Sequence, residues 1–239
     1  MKQHTIRGSH YGFSAARIDD LGSSEYTLAT ISADVSGSVG AFEKEIEKCI
    51  KEVVRACRHS PRADNLMLRT TMFDDTLTEL HGFLPLTECH PDDYSGALRI
   101  GGATALYDAA HNSVTAIANY GETLSKAGFS VNAIAFVITD GMDNASQKSA
   151  KSLETAMRRA LKSEALESLL TVLVGVGVRD ATVSRYLSDL KRDAGFSKYI
   201  ELDKADAAAL AKLAEFVRGS IIAQSRALGS GSISQSLVF

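Results

Sequence analysis

The chain has 239 residues, of which 45% are hydrophobic and 23% charged, and its formal net charge is -3. This composition is typical of one globular α/β domain with a sizeable core. Lysine and arginine are spread along the chain without forming the basic stripe that binds a phosphate backbone, so we expect no nucleic-acid partner.

Membrane and secretory signals are also lacking in the sequence pattern. The longest apolar runs, residues 133–139 and 169–178, have about half the length needed to cross a bilayer. Residues 1–17 hold no continuous apolar stretch of the kind found in a secretory signal. The three cysteines form no CxxC pair, which favours a reducing compartment over a disulfide framework. We therefore expect a cytoplasmic protein with no membrane partner.

Apolar strand-length runs and segments of helical spacing alternate along most of the chain. Six segments have the pattern of strands: residues 26–33, 65–73, 77–84, 131–139, 168–178 and 198–202. Five have the pattern of helices: residues 41–58, 104–124, 146–166, 181–194 and 205–223. The acidic pair Asp74-Asp75 is typical of a hairpin turn, which predicts that the third strand is an antiparallel edge strand.

These elements predict a Rossmann-like, doubly wound, mostly parallel six-stranded sheet with one antiparallel edge strand and helices on both faces. We expect three parts: an N-terminal extension (residues 1–24), the α/β domain (25–226) and a flexible Ser/Gly-rich tail (227–239). The tail ends in the apolar tip Leu237-Val-Phe239, so docking of the tail is a hypothesis.

Polar residues stand at three notable places, after two of the predicted strands and before one of the predicted helices. Asp34, Ser36 and Ser38 come after the first strand, Thr104 precedes the second helix, and Asp140 follows the central strand. In an open parallel sheet the ligand site lies outside the carboxyl ends of the strands. We therefore expect all five side chains to meet at one rim.

Two carboxylates and three hydroxyls form an all-oxygen set, which suits Mg²⁺ or Mn²⁺ better than Zn²⁺ or copper. Mg²⁺ prefers about six oxygen ligands and usually retains water, so five side chains leave an open position. Because three of the ligands are neutral, the charge of the cation stays partly uncompensated. An incoming Glu or Asp of a partner protein would complete the shell favourably.

The same residues carry a family resemblance. The stretch Asp34-Val-Ser36-Gly-Ser38 resembles the DxSxS signature of von Willebrand factor type A (VWA) domains. Gly101-Gly-Ala-Thr104 is similar to the motif that supplies their lone threonine, and the segment 138–144 resembles the one with their strand-terminal Asp, here Asp140. The resemblance covers residues 25–226 and extends to small intracellular bacterial or phage VWA proteins, such as those of tellurite-resistance clusters.

The resemblance implies a metal-ion-dependent adhesion site (MIDAS) made by Asp34, Ser36, Ser38, Thr104 and Asp140. It also implies a non-catalytic adaptor that binds a partner protein, such as an ATPase, kinase or phosphatase. Ala103 departs from the commonest Gly-Gly-Thr form and lengthens that loop by one residue. Asp143 and Asn144 lie near the predicted rim without an assigned ligand role.

Several other interpretations stay open at this point. Ser36 or Ser38 alone would suit a helix cap. The domain could be a structural VWA-like subunit whose metal site stays empty. Ser38 stands in a loose nucleophile elbow, which makes a serine hydrolase a remote alternative, although no histidine follows Asp140. Zinc binding by Cys57 and Cys89 with their neighbouring histidines lacks an established spacing.

Overall fold

The computed structural model describes residues 1–41, 43–58, 63–202 and 206–227. The described residues form eight strands: β1 (Lys2–His4), β2 (Phe13–Ala15), β3 (Glu25–Asp34), β4 (Leu66–Phe73), β5 (Leu77–Pro85), β6 (Ser130–Thr139), β7 (Ser168–Val176) and β8 (Lys198–Leu202). They also form five α-helices: α1 (Glu43–Arg58), α2 (Leu106–Lys126), α3 (Ala150–Leu161), α4 (Ala181–Ala194) and α5 (Ala207–Ala227). The predicted tail beyond residue 227 lies outside the described residues.

The strands form one mixed sheet in the order β1-β2-β5-β4-β3-β6-β7-β8. All six predicted strands are present. Five of them lie side by side and run parallel to one another, in the order β4, β3, β6, β7 and β8. The predicted count of six was wrong, because the N-terminal segment adds β1 and β2. Strand β5 is antiparallel to β4, as predicted, but β2 pairs along its other side, so β5 is not an edge strand.

Helices cover both faces of the sheet, as the long apolar runs of the central strands predict. On one face, Ile31 of β3 packs in a cluster with Ile50 of α1 and Val217 of α5. On the other, Leu28 of the same strand packs with Ile117 of α2 and Leu187 of α4. Because both faces are covered, alternate residues of one strand enter two different cores. No helix within the described residues is long and apolar enough to cross a membrane.

The N-terminal segment is attached to the sheet through hydrogen bonds to Glu79, which also pairs with a buried arginine. Arg69 of β4 is only 1% exposed, and its Nε donates to the Glu79 carboxylate of β5 at 2.6 Å. The same carboxylate accepts hydrogen bonds from the backbone N–H and the hydroxyl of Ser14 in β2. A Cβ at Gly82 would lie 1.9 Å from the Ser14 carbonyl oxygen, so only glycine allows this close approach.

The register of the parallel strands sets the position of the candidate site. Asp34 is level with Phe73 of β4, and Ala33 is level with Ile138 of β6. The carboxyl ends of β3 and β6 therefore lie side by side. Residues that follow these two strands emerge at the same edge of the sheet.

Candidate metal site at the carboxyl edge of the sheet

Asp34 is the last residue of β3, and its side chain is fully buried. Its Oδ1 accepts a hydrogen bond from the backbone N–H of Ser36 at 2.8 Å. Its Oδ2 accepts one from the Thr139 hydroxyl at 2.6 Å. The carboxylate is thus held on one side by its own loop and on the other by the end of β6.

A chain of hydroxyls connects this loop to Asp140. The Ser36 and Ser38 hydroxyl oxygens are 3.2 Å apart, and the Ser38 hydroxyl donates to Oδ1 of Asp140 at 2.9 Å. Ser36 is buried, whereas Asp140 is partly exposed. Four of the five predicted ligands, Asp34, Ser36, Ser38 and Asp140, are therefore brought together at one rim.

The fifth predicted ligand, Thr104, forms no hydrogen bond with the other four among the described residues, and its backbone is held by Asn144. Its N–H donates to Oδ1 of Asn144 at 2.7 Å, and its carbonyl accepts from the backbone N–H of Asn144 at 3.0 Å. The Thr104 side chain is buried and forms no hydrogen bond with any described residue. Its hydroxyl is free to contribute an oxygen ligand.

The glycine pair before Thr104 holds this loop against the Asp34–Ser38 loop. The Gly101 N–H donates to the Val35 carbonyl at 2.9 Å, and the Gly102 carbonyl accepts from the Gly37 N–H at 3.2 Å. These two bonds anchor the loop before the chain reaches Ala103. The additional residue noted in the sequence therefore does not separate the glycine pair from the Asp34 loop.

Gly102 occupies a position that glycine alone suits. Its φ is +71°, and a Cβ there would lie 2.9 Å from Oδ1 of Asp75 and 3.0 Å from Cβ of Asp74. We expect Gly102→Ala to destabilise the fold by about 1–2 kcal/mol, because the residue is held in a left-handed conformation. The clash should also displace Thr104 and weaken metal binding.

The matched control is Gly101→Ala, since a Cβ at Gly101 would meet no atom within 4 Å. Urea unfolding and metal titration of the two variants check the prediction. Equal stability and equal metal affinity in both variants would contradict it.

The electrostatics of the rim favour a cation. The pKa of Asp34 is raised from 3.8 to about 6, mainly because the carboxyl is buried. The hydrogen bonds from Ser36 and Thr139 lower this pKa, and the negative charge of Asp140 raises it. Burial also raises the pKa of Asp140. No cationic side chain among the described residues offsets these charges at Asp34. Two desolvated carboxylates close together are costly unless a cation joins them.

The raised pKa predicts how stability depends on pH in the absence of metal. Folded Asp34 holds its proton more tightly than the unfolded chain does, so its effect on stability is unfavourable once the group ionises. As the pH rises from ~4 to ~6, ionisation of this group should lower the unfolding free energy by about 3 kcal/mol. Above pH ~6 this contribution should stay constant. Urea unfolding in EDTA at several pH values measures this. The comparison with Asp34→Asn isolates the effect, and identical pH profiles of the two proteins would contradict it.

The donor set fits a hard divalent cation. Within the described residues no group of three or more His, Cys, Asp or Glu side chains could hold a metal ion. The rim is not such a group, because three of its five candidate ligands are hydroxyls. The alternative zinc site receives no support, since no such group surrounds Cys57 or Cys89 among the described residues. His59 lies outside the described residues.

Sequence reasoning missed the residues that position these candidate ligands. Thr139 directly precedes Asp140, yet its hydroxyl bonds to Asp34. Asn144 fixes the Thr104 backbone, and the Asp143 carboxylate accepts a hydrogen bond from the Tyr107 N–H at the start of α2. The proximity of Asp143 and Asn144 to Asp140 in sequence was the available signal.

The parallel central strands and the helices on both faces are those of a Rossmann-like α/β fold. Solved structures with this fold include a point variant of the PilB minor pilin from Streptococcus sanguinis. It has a TM-score of 0.62 and 13% identity over 88% of this chain and 64% of that chain. The SpaC pilus adhesin from Lactobacillus rhamnosus GG has a TM-score of 0.63 and 11% identity, with 85% and 31% covered.

A third structure is proximal thread matrix protein 1 (PTMP1) of the mussel byssus, described with a zinc-occupied MIDAS motif. Its TM-score is 0.54 at 20% identity, covering 83% of this chain and 46% of that one. This chain thus spans less than two thirds of the length of these proteins. At such identities the likeness is one of fold. No family model and no curated protein matches the sequence.

Proposed function

We propose that this protein binds a divalent cation through Asp34, Ser36, Ser38, Thr104 and Asp140, and that the cation captures a Glu or Asp side chain of a partner protein. The observation that supports this most directly is Asp34, a fully buried carboxylate at a strand end. Its hydrogen-bond donors are a backbone N–H and a hydroxyl, and neither carries a positive charge. A bound cation would supply the missing charge.

The chemistry of the ligands favours Mg²⁺ or Mn²⁺ as the cation. Hydroxyl and carboxylate oxygens are hard ligands, and such sets suit these ions. PTMP1 is described with zinc in its MIDAS motif, so zinc is a competitor that a test should include. When bound, the cation would act as a Lewis acid toward an additional oxygen ligand.

The position of the rim suits capture of a partner's carboxylate. Asp34 and Ser36 are buried, while Ser38 and Asp140 reach the surface. The buried part would hold the cation, and the exposed part leaves access for a protein side chain. Three neutral ligands leave the cation more electrophilic than a shell of carboxylates would.

We propose further that the module is non-catalytic and acts in the cytoplasm, as an adaptor to an ATPase, kinase or phosphatase. The Ser38 hydroxyl donates to Asp140, an arrangement that suits ligand positioning. The thiols of Cys57 and Cys89 are buried and free, which supports a reducing compartment. Cell fractionation would test the location, and a secreted form would contradict it.

Partner capture in Mg²⁺ and in EDTA tests the proposal. We expect the immobilised chain to retain a partner only in Mg²⁺ or Mn²⁺, and Thr104→Ala to lower that retention at least about tenfold, since it removes a ligand. The control Thr123→Ala alters a partly exposed threonine near the end of α2, outside the rim. One Glu or Asp of the captured protein should be essential. Capture that survives EDTA and Thr104→Ala would favour the alternative, a structural subunit with an empty site.

A further inference from the structure

A second group of polar side chains lies in a groove between α2 and α3, separate from the metal rim. The groove has a volume of about 170 Å³. We define the α2–α3 groove by the six polar residues that carry the argument, Arg7, His111, Thr115, Asn119, Ser152 and Arg159. Two of its lining residues are arginines, and none of them is acidic.

The arginines come from different parts of the chain. Arg159 lies on α3, whereas Arg7 belongs to the loop between β1 and β2. This loop is held in place because neighbouring Ile6 is buried and because the Gly8 carbonyl accepts a hydrogen bond from Lys148 at 2.5 Å. The N-terminal segment therefore brings Arg7 over the two helices, where it faces the same groove as Arg159.

Five of these side chains have unused hydrogen-bonding capacity. Within the described part of the chain, no hydrogen bond or ion pair involves any of five side chains, those of Arg7, His111, Thr115, Asn119 and Arg159. Arg159 does lie near Glu122, whose carboxyl has a lowered pKa mainly because Lys126 bonds to it at 2.7 Å. Glu122 does not line the groove. The charge of the two guanidinium groups is left for a ligand.

We propose that the α2–α3 groove binds a phosphate group. Guanidinium groups donate several hydrogen bonds in a planar arrangement that matches phosphate oxygens. The Asn119 amide and the Thr115 hydroxyl add neutral donors beside them. Two arginines without an acidic lining residue favour an anion over a cation or an apolar ligand. The phosphate is either free or part of a phosphorylated side chain.

NMR titration of the full chain in EDTA tests this with two probes, inorganic phosphate and phosphoserine. We expect saturable shifts of the Asn119 side-chain amide, and Arg159→Gln and Arg7→Gln should each weaken binding about tenfold. The matched control is Arg158→Gln, which changes the adjacent arginine that pairs with Glu154 at 2.9 Å. Tighter binding of phosphoserine would identify a phosphorylated side chain as the ligand, and equal binding would identify free phosphate.

Two results would overturn the proposal. One is the absence of a saturable shift up to about 10 mM of either probe. The other is an equal loss of affinity in Arg158→Gln and Arg159→Gln. Asp34→Asn should leave phosphate binding unchanged, so this proposal and the metal proposal fail or succeed independently.

Discussion

Asparagine in place of Asp34 should make the metal-free protein more stable while it removes metal binding. Asn keeps the acceptor for the Ser36 N–H and can donate to the Thr139 hydroxyl oxygen, so the hydrogen bonds of the native side chain persist. It removes a buried charge whose pKa is raised to about 6. At pH 7 the gain in unfolding free energy should be on the order of 2–3 kcal/mol.

Metal affinity should change in the opposite direction. Loss of an outer-shell group commonly lowers metal affinity 10- to about 100-fold, so loss of a direct carboxylate ligand should cost about 100-fold or more. Urea unfolding in EDTA and Mn²⁺ calorimetry measure the two effects. The control is Asp20→Asn, at an exposed aspartate that precedes the amino end of β3, the end opposite the rim. A metal-free variant less stable than the native protein would show that Asp34 has a purely structural role.

Removal of the Glu79 carboxylate should cost the largest amount of stability outside the hydrophobic core. Arg69 is 1% exposed, and Glu79 supplies its only ion-pair partner among the described residues. Burial already lowers the pKa of Arg69, against the effect of Glu79. Glu79→Ala leaves that charge buried and unpaired, so we expect a loss of about 3–5 kcal/mol. The Ser14 N–H loses its acceptor as well, and its hydrogen exchange should accelerate.

A second substitution distinguishes an unpaired charge from simple loss of packing. Arg69→Met combined with Glu79→Ala should recover a large part of the stability, because the buried charge is then gone. Glu122→Gln serves as the control, since Glu122 pairs with Lys126 at the surface, where solvent screens the pair and its loss should change stability little. If the double variant is less stable than Glu79→Ala, the unpaired-charge explanation is wrong.

The sequence predicted the central elements well because their patterns are long. Strands β3, β6 and β7 are mostly apolar and buried from their second residue onwards, and α4 has the predicted bounds of residues 181–194. β1 and β2 have three residues each, too few for a period to be visible. Helix α3 begins at Ala150, later than the predicted residue 146, because Ser149 caps it and the preceding residues form a loop.

That loop shows why the start of α3 was hard to predict. The Asp108 carboxylate accepts hydrogen bonds from the backbone N–H groups of Gln147 and Lys148. The Ser146 hydroxyl accepts one from the Asp108 N–H. These are tertiary contacts between α2 and the loop, and the local pattern of residues 146–149 contains no sign of them.

At the site, residue types and strand order were sufficient to predict that four of the five side chains meet, while the fifth, Thr104, is not linked to them by a hydrogen bond among the described residues. Asp34, Ser36, Ser38 and Asp140 are linked by hydrogen bonds at one edge. What could not be predicted is the support around them. Thr139 belongs to β6, and only the parallel register of β3 with β6 brings its hydroxyl to Asp34. Contact between Gly102 and the Asp74-Asp75 turn likewise depends on how the β4–β5 hairpin folds over the rim.

Titration of the native chain with Mn²⁺ is the most direct test of the central claim. Calorimetry at pH ~7 should show one ion bound per chain, with Mg²⁺ competing for the same site and zinc included as a second competitor. Because the pKa of Asp34 is about 6, binding should weaken as the pH falls below that value and should release protons there. No binding of Mn²⁺ or Mg²⁺ up to about 10 mM would contradict the account. So would an affinity that Asp34→Asn and Thr104→Ala leave unchanged.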